Sequence, residues 1–124
     1  MFCFKAPGRS IQQDFISEEW GEFIRYLEVA DDQFANRQVE VFDNGNVLHY
    51  DRMHWCDDFG MLLGLRFSRK AKWVAHFPGA EIISPTEFEK TWRLAQRSQL
   101  WEDQQCRSRA TQWGALPFWL RPFE

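Results

Sequence analysis

The sequence predicts an α+β fold, an antiparallel sheet of three to five strands with one main C-terminal helix packed on one face. Three observations carry this. Asn44-Gly45 stands between two alternating runs, the signature of a two-residue hairpin loop in which both residues need positive φ. Ser84-Pro85-Thr86-Glu87 is a helix start. The stretch 22–30 is short, aromatic and β-branched, and suits a strand beside the hairpin.

Residues 1–21 contain Phe2, Phe4, Phe15 and Ile16, apolar enough to be buried, while Pro7-Gly8 is expected to break any early element. Two readings compete over 22–30. As a strand, Phe23, Leu27 and Val29 line one face, interrupted by Arg25, and Ile24, Tyr26 and Glu28 line the other. As a helix capped by Ser17, Trp20, Phe23, Ile24 and Leu27 form a stripe. The strand is preferred, because Gly21 sits where a helix would be starting. Asp31-Asp32 then opens the connection to the hairpin.

With Asn44-Gly45 as the loop, Val41 pairs with Leu48, Val39 with Tyr50, Glu40 with His49 and Gln38 with Asp51. Paired side chains share a face, so Val39, Val41, Leu48 and Tyr50 form an apolar face and the other four a polar one. A half-buried sheet is expected. Further on, Gly60 and Gly64 bracket Met61-Leu62-Leu63, a short apolar turn or brief helix, and residues 72–77 read as a strand stopped by Pro78-Gly79.

Glu81 to Ile83 is extended and leads into the helix. There Ser84 is the N-cap, Pro85 gives up no needed donor, Glu87 completes a capping box and Ile83 staples onto Phe88. Phe88, Trp92 and Ala95 share the face pressed onto the sheet. After Leu100-Trp101 the pattern turns polar, so the helix ends there or projects. The tail, 107–124, crowds Trp113, Leu116, Phe118, Trp119, Leu120 and Phe123 between Gly114, Pro117 and Pro122. Either it folds back over an open edge of the core, or it is a partner-binding or dimer-forming arm.

A chain of 124 residues is read as a single domain, 1–124, with 22–95 as its core sheet and helix. Aromatic content is high at 17%, with 7 Trp and 12 Phe. A formal net charge of -3 argues against a nucleic-acid partner, which calls for a basic face. Cys3, Cys56 and Cys106 are odd in number and unpaired in spacing, which suits free thiols in a reducing compartment. No signal-peptide core or membrane-length run is visible, so the expected location is cytoplasmic and no membrane is expected as a partner.

Catalytic signatures are missing. His49, Asp51, His54, Cys56, Asp57 and Asp58 cluster in sequence but match no zinc spacing, and a cross-strand Glu40–His49 pair accounts for that histidine without a metal. Cys56 has Asp57-Asp58 beside it, which would raise the thiol's pKa instead of activating it. No serine sits in a nucleophile motif, the adjacent aspartates share no face, and no Gly-rich loop precedes a helix. Catalytic residues, cofactor and metal are therefore each expected to be none. What remains is a surface: Asp31, Asp32, Asp51, Asp57 and Asp58 fall in or beside connections, interleaved with Tyr50, Trp55 and Phe59. Acidic loops with aromatic anchors suit a basic protein partner. The alternative is that the aromatics are core and the aspartates cap turns.

The order of strand, Arg37-x-Val39-Glu40-Val41-Phe42-x-Asn44-Gly45 hairpin with Tyr50, and Ile83-Ser84-x-x-Glu87-Phe88-Glu89-x-x-Trp92 helix resembles a loose class of small bacterial proteins. The resemblance covers residues 22–95. Some members of that class act as immunity-type partners of toxins, and an immunity-protein-like role is what the resemblance implies. Its motifs are structural and transfer fold better than activity.

The leading expectation is thus a non-enzymatic binding protein of the bacterial cytosol, an immunity-like inhibitor of a toxin or other protein. Its contact residues would be Asp31, Asp32, Asp51, Trp55, Asp57, Asp58, Trp113 and Trp119. Two alternatives stand beside it: a small metal-dependent hydrolase using His49, His54 and Asp57, and a self-associating module. The expected state is monomer or homodimer.

Overall fold

The computed structural model describes residues 1–9, 20–67 and 77–109. Among these, five strands and two helices follow one another: β1 (Phe2–Arg9), β2 (Glu22–Val29), β3 (Ala35–Phe42), β4 (Val47–Asp51), β5 (Glu81–Ile83), α1 (Pro85–Gln96) and α2 (Trp101–Cys106). The strands form one antiparallel sheet in the order β4-β3-β2-β1-β5. The α+β class with α1 laid on the sheet is as the sequence predicts, and residues 22–29 are a strand. The expected strand at 72–77 and the aromatic tail fall outside the described residues, apart from Phe77, which is in a bend, and 107–109.

The hairpin departs from expectation by one residue. Phe42 N donates to Asn46 O at 2.9 Å and Gly45 N to Phe42 O at 3.0 Å, so Asp43-Asn44-Gly45 form the turn, with Gly45 at φ +91°. A third turn residue in the left-handed region is the bulged solution that a tight turn adopts when its second residue keeps negative φ. Val41 consequently pairs with Val47, Glu40 with Leu48, Val39 with His49, Gln38 with Tyr50 and Arg37 with Asp51. A one-residue slip inverts every side chain of one strand relative to the other. Leu48 and Tyr50 thus join Gln38 and Glu40, and His49 joins Val39 and Val41.

Both faces are buried, not one. On the first, Cys3, Val39, Val47 and Ile83 meet Phe88, Trp92 and Ala95 of α1. On the second, Phe2, Phe4, Leu27, Leu48 and Tyr50 meet Trp55, Cys56, Phe59, Leu62 and Phe67 of the long β4–β5 connection. Gln38 and Glu40 remain inside because they are paired: Gln38 donates to Met61 O and accepts from Leu63 N, and Glu40 Oε2 takes Arg25 at 2.7 Å. The segment 60–64 is irregular and not helical, pinned by an isolated bridge between Cys56 and Met61.

Pro7-Gly8 does not interrupt β1. β5 pairs with β1 only along residues 3–5, so Pro7 lies beyond that ladder, where a missing N–H costs least. Gly8 pairs with Phe23, whose ring lies so close that a Cβ at Gly8 would stand 2.7 Å from it. The helix start is as expected, with Glu87 N donating to Ser84 Oγ at 3.1 Å. Its carboxylate turns to Lys5 Nζ at 3.2 Å instead of closing the box. Arg37 fastens α1 to the sheet, bonded to Glu28 and Glu89 and lying 5.0 Å from the centroids of both Phe88 and Trp92. Burial pushes the Glu28 carboxyl up, but hydrogen bonds from Arg37 and Asn36 outweigh it and hold the group below the usual carboxylate range.

Candidate functional site

The polar groups gathered from β4, the following loop and α2 form one buried cluster. His49 sits on the α1 side of β4 and stacks on Trp101 with ring centroids 3.6 Å apart. Its Nδ1–H donates to Gln104 Oε1 at 2.8 Å, and its Nε2 accepts from Gln105 Nε2 at 2.7 Å, a bonding pattern that fits the neutral ring. Burial pushes the imidazole down to about 4, the adjacent His54 adding to the effect against the Gln104 hydrogen bond. His54 Nε2 donates to Asp57 Oδ2 at 2.8 Å, and its Nδ1 has no protein partner among the described residues.

Asp57 is the hub. Its Oδ1 accepts from Tyr50 Oη, Phe59 N and Gly60 N at 3.0, 2.8 and 3.2 Å, and its Oδ2 from His54 and from Gln104 Nε2 at 2.8 Å. Its side chain has no solvent exposure. A carboxylate with five donors and no path to water organises a loop and is closed to a substrate. His49 and His54 do lie together, as their sequence proximity foretold, yet their ring nitrogens turn to Gln104, Gln105 and Asp57. Among the described residues no three His, Cys, Asp or Glu side chains converge as metal ligands. Burial raises the Cys3 thiol to about 11, and burial followed by the Asp57 charge raises that of Cys56. Neither thiol is set up as a nucleophile.

The remaining expected contact residues divide. Trp55 is interior. Asp51 accepts from Met53 N and His54 N at the end of β4. Asp32 is bonded to Arg52 at 2.8 Å through both oxygens and accepts from Phe34 N. The Arg52 hydrogen bond, opposed by burial, holds its carboxyl below the ordinary range. Asp58 is bonded by Arg109 and Arg107, which lower its carboxyl too. Asp31 is exposed and meets the Met1 amino group. Trp113 and Trp119 lie outside the described residues. The acidic set is therefore not one continuous surface.

A different surface gathers around Asp31 at one end of the sheet. The β2–β3 turn is closed by Gln33 N to Ala30 O at 2.9 Å, with Gln33 at φ +72°, a left-handed conformation that costs a side-chain-bearing residue about 1–2 kcal/mol. Phe67 N holds it there by donating to Gln33 O at 2.6 Å, and Arg66 bridges Phe34. Arg52 donates to the carbonyls of Phe34 and Ala35, which brings Met53 to the same end. Met53 is 86% exposed, Met1 64% and Leu65 50%, beside exposed Asp31, Gln33 and Arg66. Of this end the sequence singles out only Asp31 and Asp32, because only the bonds from Arg52 and Phe67 show that residues 31–34, 52–53 and 65–67 meet.

Two shallow clefts, about 130 and 420 Å³, share Pro7 and Ile24, and neither is lined by His49, His54 or Asp57. No helix among the described residues is long and apolar enough to cross a membrane. No protein-family model, curated protein or solved structure matches the chain.

Proposed function

We propose that this chain is a non-enzymatic binding module for another protein, an immunity-like inhibitor being the specific role its sequence resemblance favours. One observation carries the reading. Among the described residues, His49, His54, Asp57, Cys3 and Cys56 are interior and, apart from His54 Nδ1, committed to structural bonds or inert, Cys106 being the exposed thiol, whereas methionine and leucine side chains stand exposed at the 31–34/52–53/65–67 end. Unbranched, polarizable methionines adapt to a partner's contours, and a polar rim of Asp31, Gln33 and Arg66 supplies orientation. A backbone strained at Gln33 on that same surface fits a region shaped for contact.

The test is a bait experiment from native-host lysate with the wild-type chain and the double variant Met53→Asp/Leu65→Asp in parallel. A stoichiometric protein retained by the wild type and lost by a variant with an unchanged thermal midpoint is the expected result. Equal retention by both removes this surface from the reading, and turnover of a substrate by purified protein would replace the reading with an enzymatic one.

A further inference from the structure

Among the described residues β4 is the last strand on its side of the sheet, so alternate residues turn backbone groups outward into what would be an open edge. That edge is closed by side chains and loop backbone. Gln104 Oε1 accepts from His49 N at 2.9 Å while Gln104 Nε2 donates to His49 O at 3.0 Å. One carboxamide thus makes both bonds that a residue of a neighbouring antiparallel strand would make. On either side, Ser98 Oγ donates to Val47 O at 3.4 Å and Asp51 N donates to His54 O at 3.1 Å.

α2 has six residues, and its first turn has no side-chain cap. A helix of that length is not stable by itself and is held by its docking contacts: Gln104 on His49 and Asp57, Gln105 on His49, Trp101 on His49 and Trp92, and Arg107 on Asp58.

We propose that α2 is a strap over a latent strand-pairing edge, and that the occupant of this edge once the strap lifts is a second copy of β4. Self-complementarity is the argument. Gln104 shows that His49 presents both its N–H and its C=O outward, so two antiparallel copies centred there exchange two bonds, His49 to His49. The same register sets Leu48 against Tyr50 of the second copy, two residues that share the buried second face. The apolar face then runs on from one sheet into the next, and Val47 stands against Asp51 on the other side.

Sedimentation of the full chain carrying Gln104→Met, over a wide concentration series beside the wild type, reads the proposal directly. Methionine keeps the bulk and helix preference of glutamine and removes both edge bonds, along with those to His49 Nδ1 and Asp57 Oδ2. The expected result is a concentration-dependent shift toward twice the mass of the wild-type species, with the His49 amide protected from hydrogen exchange in the heavier species. If Gln104→Met does not fold, Trp101→Ala carries the same readout by removing the ring stacked on His49. A mass distribution unchanged from wild type overturns the proposal, and so does a heavier species whose His49 amide exchanges freely.

Discussion

Asp57 shows what the chain does with its acidic residues. Its Oδ1 accepts from the backbone of Phe59 and Gly60, two and three positions ahead, as Asp51 does from Met53 and His54 and Asp32 from Phe34. These are Asx-type turns, in which a short side chain substitutes for a backbone acceptor. The Asp57-Asp58-Phe59-Gly60 stretch carried that signal openly, and turn chemistry accounts for three of the five aspartates first grouped as a surface. What no local pattern could show is the long-range half of the site. Gln104 reaches Asp57 from 47 residues away, out of a stretch that reads as solvent-facing helix. Asp57→Ala leaves Tyr50, His54, Gln104 and two backbone amides without their acceptor. Loss of such a buried hub is expected to cost about 3–5 kcal/mol, measured as the shift in urea denaturation. A cost below about 1 kcal/mol would show that the cluster is not structural.

Elements with redundant local signals were legible, and those set by a single signal were not. The start of α1 combined a cap, a proline, an acidic third residue and a staple, and its buried face of Phe88, Trp92 and Ala95 was read correctly. Ser84→Ala removes the one acceptor serving Glu87 N. It should lower stability by about 1 kcal/mol in chemical denaturation, with the Lys5–Glu87 contact holding the helix in place. The hairpin rested on Asn44-Gly45 alone. That dipeptide fits the end of a bulged turn as well as the centre of a tight one, so the strands were found and their register was not. β1 was missed because proline and glycine mark breaks in isolation. Here one sits beyond the β5 ladder and the other makes room for Phe23. The return of α2 depends on Gln104 finding β4, a tertiary contact with no local trace.

For the molecule as a whole, the interior histidine sets a pH limit. His49 is neutral in the fold, with its pKa pushed from the ordinary 6.5 down to about 4 by burial, then by His54. Between those values the unfolded chain takes up a proton that the folded chain refuses. This contribution to stability is therefore present above about pH 6.5 and is lost as pH falls toward 4. The shift corresponds to roughly 3 kcal/mol at most. Urea midpoints measured from pH 7 to pH 4.5 should fall for the wild type and fall less for His49→Phe, which keeps a ring against Trp101. Equal slopes would show that His49 titrates normally.

The turn at Asp43-Asn44-Gly45 sets the parity of the molecule. With both faces of the sheet buried, neither side can absorb a misplaced strand, and the count of residues in that turn decides whether Leu48 and Tyr50 enter the aromatic layer or the helix layer. A deletion or insertion of one residue exchanges the two sets and puts His49 where Tyr50 belongs, away from Gln104. A change of two leaves every assignment intact. Relatives of this chain should therefore vary the length of this turn in even steps, conserving its oddness while its sequence drifts.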